Sequence, residues 1–162
     1  MLLCGVRHIK IKFDEDPEYH QSLSLRLQEI IQKCENPWEE LVQQLLLFCD
    51  GMEQEKTQKA SDLGLDETEY AFHGALMGEI TRASGDMSMD EETKDRVLDL
   101  TKELVAEFQQ ATQIAGFFQK EDEIKSVRKK IRRAIIDQPF SSKELIQAVS
   151  ERFLELGKVR FK

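Results

Sequence analysis

Glu121-Asp122-Glu123-Ile124-Lys125-Ser126-Val127-Arg128-Lys129-Lys130-Ile131-Arg132-Arg133-Ala134-Ile135 sets Ile124, Val127, Ile131, Ala134 and Ile135 mostly three or four residues apart. A strand would bring apolar side chains to one face at every second position. A helix of about 3.6 residues per turn gathers this spacing into a single stripe. The segment is therefore expected to be a helix from about Lys120 to Asp137, with Lys125, Arg128, Lys129, Arg132 and Arg133 on its opposite face. Glu121, Asp122 and Glu123 open it, where carboxylates complement the positive end of the helix dipole.

The same period governs the flanking segments. After Pro139, Ser141-Ser142-Lys143-Glu144 caps a last helix with Leu145, Ala148, Val149, Phe153 and Leu156 inward, and Gly157 reads as its C-terminal stop. Upstream, Ser88-Met89-Asp90-Glu91 caps a long helix. Its stripe is Val97, Leu100, Thr101, Leu104, Val105, Phe108, Ala111 and Ala115, interrupted near Gly116-Phe117-Phe118. Asp66-Glu67-Thr68-Glu69 opens a helix with Tyr70, Phe72, His73, Leu76, Met77 and Ile80, which Ser84-Gly85-Asp86 breaks.

Nearer the N-terminus, Asp16 caps and Pro17 suits the first helical position, giving a helix to about Cys34 with the stripe Tyr19, Leu23, Leu27, Ile30, Ile31 and Cys34. Leu25 lies on its other face. Asn36-Pro37-Trp38-Glu39 starts a second helix through about Met52, with Trp38, Leu41, Val42, Leu45, Cys49 and Met52 as its stripe. Leu46, Leu47 and Phe48 spread apolar surface around that cylinder, which predicts burial from two sides. Val6 to Phe13 alternates imperfectly and fits a short strand or a helix end. The sum is an all-α irregular bundle of about six helices in one domain. It divides into a first helical hairpin (1–52), a polar connection (53–65) that fits a helix extension or a link, and a four-helix portion (66–162).

Composition agrees with long polar-faced helices: 33% of the 162 residues are charged, against only 8 Gly and 3 Pro. The three cysteines, Cys4, Cys34 and Cys49, match no zinc spacing and read as reduced core thiols of a cytoplasmic protein. No apolar run approaches the ~20 residues of a membrane span, and the first residues do not form a signal peptide, so no membrane partner is expected. The net charge of −8 is unevenly spread. Residues 120–162 hold 12 Lys/Arg against 7 Asp/Glu, a net +5, which leaves −13 on residues 1–119. Such asymmetry suits oriented contact with a partner.

Catalytic chemistry finds little support. No glycine-rich loop ends in Gly-Lys-Ser/Thr to cradle phosphates. Asp14-Glu15-Asp16-Pro17 superficially looks like an acidic magnesium motif, but Pro17 and the missing buried strand favour helix capping. Glu123 and Lys125 share the Glu-x-Lys spacing of metal-dependent nucleases, yet they sit in a helical first turn rather than on a strand. His8, His20 and His73 are scattered and read as ordinary surface or core. No catalytic residue, cofactor or metal is expected in this chain. The run Lys125 to Arg133 holds six cations and no acid, and fits a solvated face, a phosphate contact or an acidic protein surface. Leu25, Leu47 and Leu154 fall off their helices' stripes and are candidate partner contacts beside that ridge.

Arg7-His8-Ile9-Lys10-Ile11-Lys12, Asp14 to Tyr19, Leu27-Gln28-Glu29-Ile30-Ile31 and Asn36 to Leu41 together resemble the helical segment after the motor domains of type I restriction enzyme R subunits. Leu63 to Leu76 is similar to that family's L-T-x-x-E-x-A-F-Y-x-A-L block, with His73 where Tyr is common. Leu100 to Val105 and Val127 to Arg133 are similar to its closing helices. The chain departs from the family pattern in having one histidine where a pair is common, and Ala115-Gly116-Phe117-Phe118 in place of an Asp-Trp pair. The resemblance implies a module that caps the motor and docks it onto the methyltransferase M and S subunits, meeting DNA through the complex. The nuclease and the ATP- and magnesium-dependent motor would lie outside this chain. Two alternatives remain: an accessory domain touching DNA through Lys125 to Arg133, or a free-standing acidic regulator that imitates DNA.

Overall fold

A computed structural model of the chain describes residues 16–33, 38–84 and 89–161. It contains α1 (Pro17–Lys33), α2 (Trp38–Asp62), α3 (Glu67–Ser84), α4 (Glu91–Thr112), a 3-10 turn (Phe117–Gln119), α5 (Glu121–Ile136) and α6 (Lys143–Arg160). Among the described residues there is no strand, so the all-α expectation holds. The alternating stretch 6–13, Cys4, Cys34, the Asn36-Pro37 cap, Gly85-Asp86 and Ser88 lie outside the described residues. The chain separates into two compact units, Met1–Glu67 and Thr68–Lys162.

In the first unit α1 packs against α2. Asp16 caps α1 as predicted: its Oδ1 accepts from the Tyr19 backbone N–H at 3.3 Å. Tyr19, Leu23 and Leu27 bury against Leu41, Leu45, Phe48 and Met52. Two expectations need correction. Ile31 belongs to the predicted stripe but is exposed, because the buried face of α1 is spent within Tyr19, His20, Leu23 and Leu27. Nor is α2 covered all round: Leu46 and Leu47 are exposed, since one facing helix covers one stripe.

The polar segment after Met52 is helix and carries α2 on to Asp62. Lys59 pairs with Glu55 one turn away at 2.8 Å, and Gln58 donates to Asp62 at 2.7 Å, which favours helix over link. The stop is a glycine the sequence reading passed over. Gly64 sits at φ 63. Its N–H reaches the Ser61 carbonyl and the Leu65 N–H reaches the Ala60 carbonyl, both at 2.9 Å, closing a left-handed C-terminal cap whose apolar pair, Ala60 and Leu65, is buried.

The second unit is built around aromatic rings from three helices. Phe72 of α3 lies 4.8 Å from Phe153 of α6, edge to face, and 5.7 Å from Phe108 of α4. Leu76, Ile80, Val97, Leu104, Leu145 and Val149 extend this core, and α5 closes it with Val127, Ile131 and Ile135. The cap of α4 is Asp90, within the predicted capping stretch, which accepts from the Thr93 N–H at 2.8 Å. Asp90's carboxyl is held below its ordinary range by the side-chain and backbone hydrogen bonds of Thr93. Ser142 caps α6 by accepting from the Leu145 N–H at 3.0 Å. The stripe of α4 ends at Thr112, so Ala115 is exposed. Phe117 buries from the turn that follows Gly116, whose φ is 71.

Gly157 does not stop α6, which continues to Arg160. It is buried, and a Cβ there would stand 2.8 Å from Cε1 of the Phe108 ring. The glycine thus sets how closely α6 approaches α4. Phe108 is fully buried and has no room to yield. Gly157→Ala should therefore lower stability by about 1–2 kcal/mol in urea denaturation, the overpacking outweighing the helix-propensity gain of roughly 1 kcal/mol. A stabilised variant would show that the approach is not tight.

Candidate interaction surface

Amphipathic α5 turns Val127, Ile131 and Ile135 into the core, so Lys125, Arg128, Lys129, Arg132 and Arg133 project from its far side, and all five are exposed. Their electrostatic states differ. Lys125 is shared between Glu121 at 3.7 Å and Asp122 at 3.6 Å, as the one-turn spacing predicts. Lys130 pairs with Glu107 of α4 and is drawn away from the ridge. Among the described residues no acid pairs with Arg128, Lys129, Arg132 or Arg133, which leaves four cations over about two turns.

Of the leftover leucines, Leu25 and Leu47 are exposed, at 57% and 69%. Both belong to the first unit, whereas the ridge belongs to the second. Leu154 is a correction: only 6% exposed, it is part of the core around Phe153. The buried side of α6 is wide, taking in Leu145, Val149, Ser150, Phe153, Leu154, Leu156 and Gly157, because α5 packs along it and the Phe108 ring of α4 packs on it at Gly157. A single-stripe reading cannot see that. Leu154 is no partner contact.

The first unit holds a polar group that sequence reasoning missed. Lys56 lies 3.1 Å from Asp16 and 3.5 Å from Glu67, with its ammonium 5.5 Å from the centre of the Tyr19 ring. The Tyr19 hydroxyl donates to the Met52 carbonyl, and buried His20 meets the Tyr19 ring edge to face at 5.4 Å. A cleft of about 480 Å³ opens beside these residues. Asp16 and Lys56 are distant in sequence, and only the antiparallel return of α2 joins them. Nearby, Glu55 is held below the usual carboxylate range by Arg26 first and Lys59 second.

Among the described residues no three His, Cys, Asp or Glu side chains form a metal-binding group. Glu123 lies with Glu121 and Asp122 in the acidic first turn of α5, where carboxylates complement the helix dipole, and Lys125 follows on the same helix. No helix of the described residues is long and apolar enough to cross a membrane. Comparison with family models, with curated proteins and with solved structures gives no match. The functional reading therefore rests on the chain's own motifs and surfaces.

His73, half-buried on α3, titrates below its ordinary value because burial penalises the imidazolium. Below pH ~6.5 the unfolded chain takes up this proton more readily than the folded one, so stability falls as pH drops through that value. His73→Gln should flatten the decline between about pH 7 and pH 5.5, read by urea midpoints. An unchanged slope would assign the decline to other groups.

Proposed function

We propose that this chain is a helical assembly module of a type I restriction-modification R subunit, docking the motor onto the methyltransferase M and S subunits. The observation that carries the reading is the α5 ridge: four exposed cations without acidic partners among the described residues, on a helix anchored by Val127, Ile131 and Ile135. The ordered resemblance of Asp14–Tyr19, Asn36–Leu41 and Leu63–Leu76 to that family supports it. On this reading the protein works in the cytoplasm and reaches DNA through the complex. It supplies no catalytic residue, ATP site or magnesium site of its own. The parent's activity, ATP-dependent DNA translocation and cleavage, belongs to domains outside it.

A steering role makes a kinetic prediction. Arg128→Glu/Arg132→Glu should slow association with the M and S subunits roughly tenfold at low ionic strength and flatten its salt dependence, leaving the helical content unchanged because both positions face solvent. Surface plasmon resonance against immobilised methyltransferase reads this. Wild-type rates in the variant would remove the ridge from the docking surface. The same ridge supports a second reading, direct contact with duplex DNA. That one requires affinity for random duplex, with log K falling by ~0.9 per phosphate neutralised as log salt rises. The overall charge of −8 favours the protein partner.

A further inference from the structure

The α5 ridge ends beside a groove of about 480 Å³ between the last turn of α5 and the first turn of α6. Ile136 and Ile146 supply its large apolar side chains, Arg132 and Lys143 its charges, and Ser141, Ser142 and Gln147 complete the lining. The lining contains two cations and no acid; Asp137 and Glu144, the nearest carboxylates in sequence, lie outside it. Ile136 is 49% exposed although its neighbour Ile135 is fully buried. The N-terminus of α6 adds partial positive charge, since Ser142 occupies only the Leu145 N–H.

We propose that this groove is the anchor point of the docking surface, and that its occupant is an acidic segment of a partner protein carrying one large apolar side chain. That side chain would seat on Ile136 and Ile146, while flanking carboxylates meet Arg132, Lys143 and the cations running back to Arg128. Charge complementarity selects the acidic segment: a basic or neutral one would leave the groove's two cations without counter-charges on the partner. The exposed Ile136 selects the apolar anchor, because cations alone would hold a purely acidic chain without position or register. The inference deepens the docking reading and rests on it for the partner's role, though not for the chemistry of the groove.

The test uses the full chain and a fluorescein-labelled helical peptide in which Glu residues one turn apart flank a single Phe, read by anisotropy. Two control peptides replace that Phe with Ala or exchange every Glu for Gln. The Phe peptide should bind, and each control should bind roughly tenfold more weakly or worse. Ile136→Ser should weaken the Phe peptide roughly tenfold while leaving the Ala peptide unchanged, and Arg132→Gln/Lys143→Gln should weaken both. Both positions of the double variant are exposed, so thermal melts should match wild type. Equal binding of Phe and Ala peptides, or none of either, would overturn the proposal. So would a concentration-dependent dimer that Ile136→Ser dissolves, which would make the occupant a second copy, or duplex DNA displacing the peptide from wild type but not from Arg132→Gln/Lys143→Gln. A parallel arm measures methyltransferase binding. If it survives Ile136→Ser but fails with Arg128→Glu/Arg132→Glu, docking stands and the anchor falls. If the Phe peptide binds as expected and the methyltransferase does not, the anchor stands and the restriction-subunit reading falls.

Discussion

Phe72→Ala should remove about 3–5 kcal/mol of unfolding free energy and lower the melting temperature by roughly ten degrees. Phe72 is fully buried, and its ring meets Phe108, Phe153 and Phe161 at centroid distances of 5.7, 4.8 and 6.1 Å. Truncation would leave a void bounded by rings from α4 and α6 that are themselves fixed by Leu104, Val149 and Gly157, so the walls have little freedom to collapse. Urea denaturation gives the comparison, with Leu47→Ala as the exposed control expected to stay within about 0.5 kcal/mol. A Phe72 loss below about 1 kcal/mol would mean that α3 does not seat in the core as described.

Lys56→Met should be nearly as damaging, by about 3 kcal/mol, for an electrostatic reason. Asp16 is 1% exposed, and its carboxylate has two duties, capping α1 through the Tyr19 N–H and facing Lys56 at 3.1 Å. Removing the ammonium leaves a buried negative charge whose desolvation is no longer compensated. Adding Asp16→Asn removes that charge yet keeps a good capping side chain. The double variant Asp16→Asn/Lys56→Met should therefore be more stable than Lys56→Met alone. A double-mutant cycle in which the two losses simply add would show that Asp16 and Lys56 are not coupled.

What could be read from the chain alone was whatever repeats along one helix. The caps at Asp16 and Ser142 were visible because each needs only a short polar side chain before an apolar period. The basic face of α5 was visible for the same reason, being the complement of Ile124, Val127, Ile131 and Ile135. At the start of α4, Ser88 and Asp90 both satisfy that local rule, and the hydrogen bond from Thr93 goes to Asp90. Features made by two helices at once were hidden. Leu154 looked spare because one helix's stripe does not show that both α5 and the Phe108 ring of α4 cover α6, and nothing near Lys56 in sequence announces Asp16. Gly64 offered a usable signal, a glycine after a Lys/Gln-rich run and before Leu65, which a capping search at helix ends would have found.

Helix α5 also has a direction. Glu121, Asp122 and Glu123 crowd its first turn, while Arg132 and Arg133 lie near its end, so the side chains form a dipole running opposite to that of the backbone. Whole charges outweigh the partial charges of about one half at the helix termini, so the side chains set the sign felt at a distance. An acidic segment laid over the last two turns of the helix meets cations throughout; slid by two turns toward the N-terminus, its carboxylates face Glu121 to Glu123. The far field would therefore exert a torque on an approaching partner and choose its heading before any surfaces touch. That torque acts over distances near the Debye length of about 8–10 Å, beyond which salt screens it, whereas a seated ion pair is screened far less. Rising ionic strength should erase the preferred heading well before it dissolves the contact.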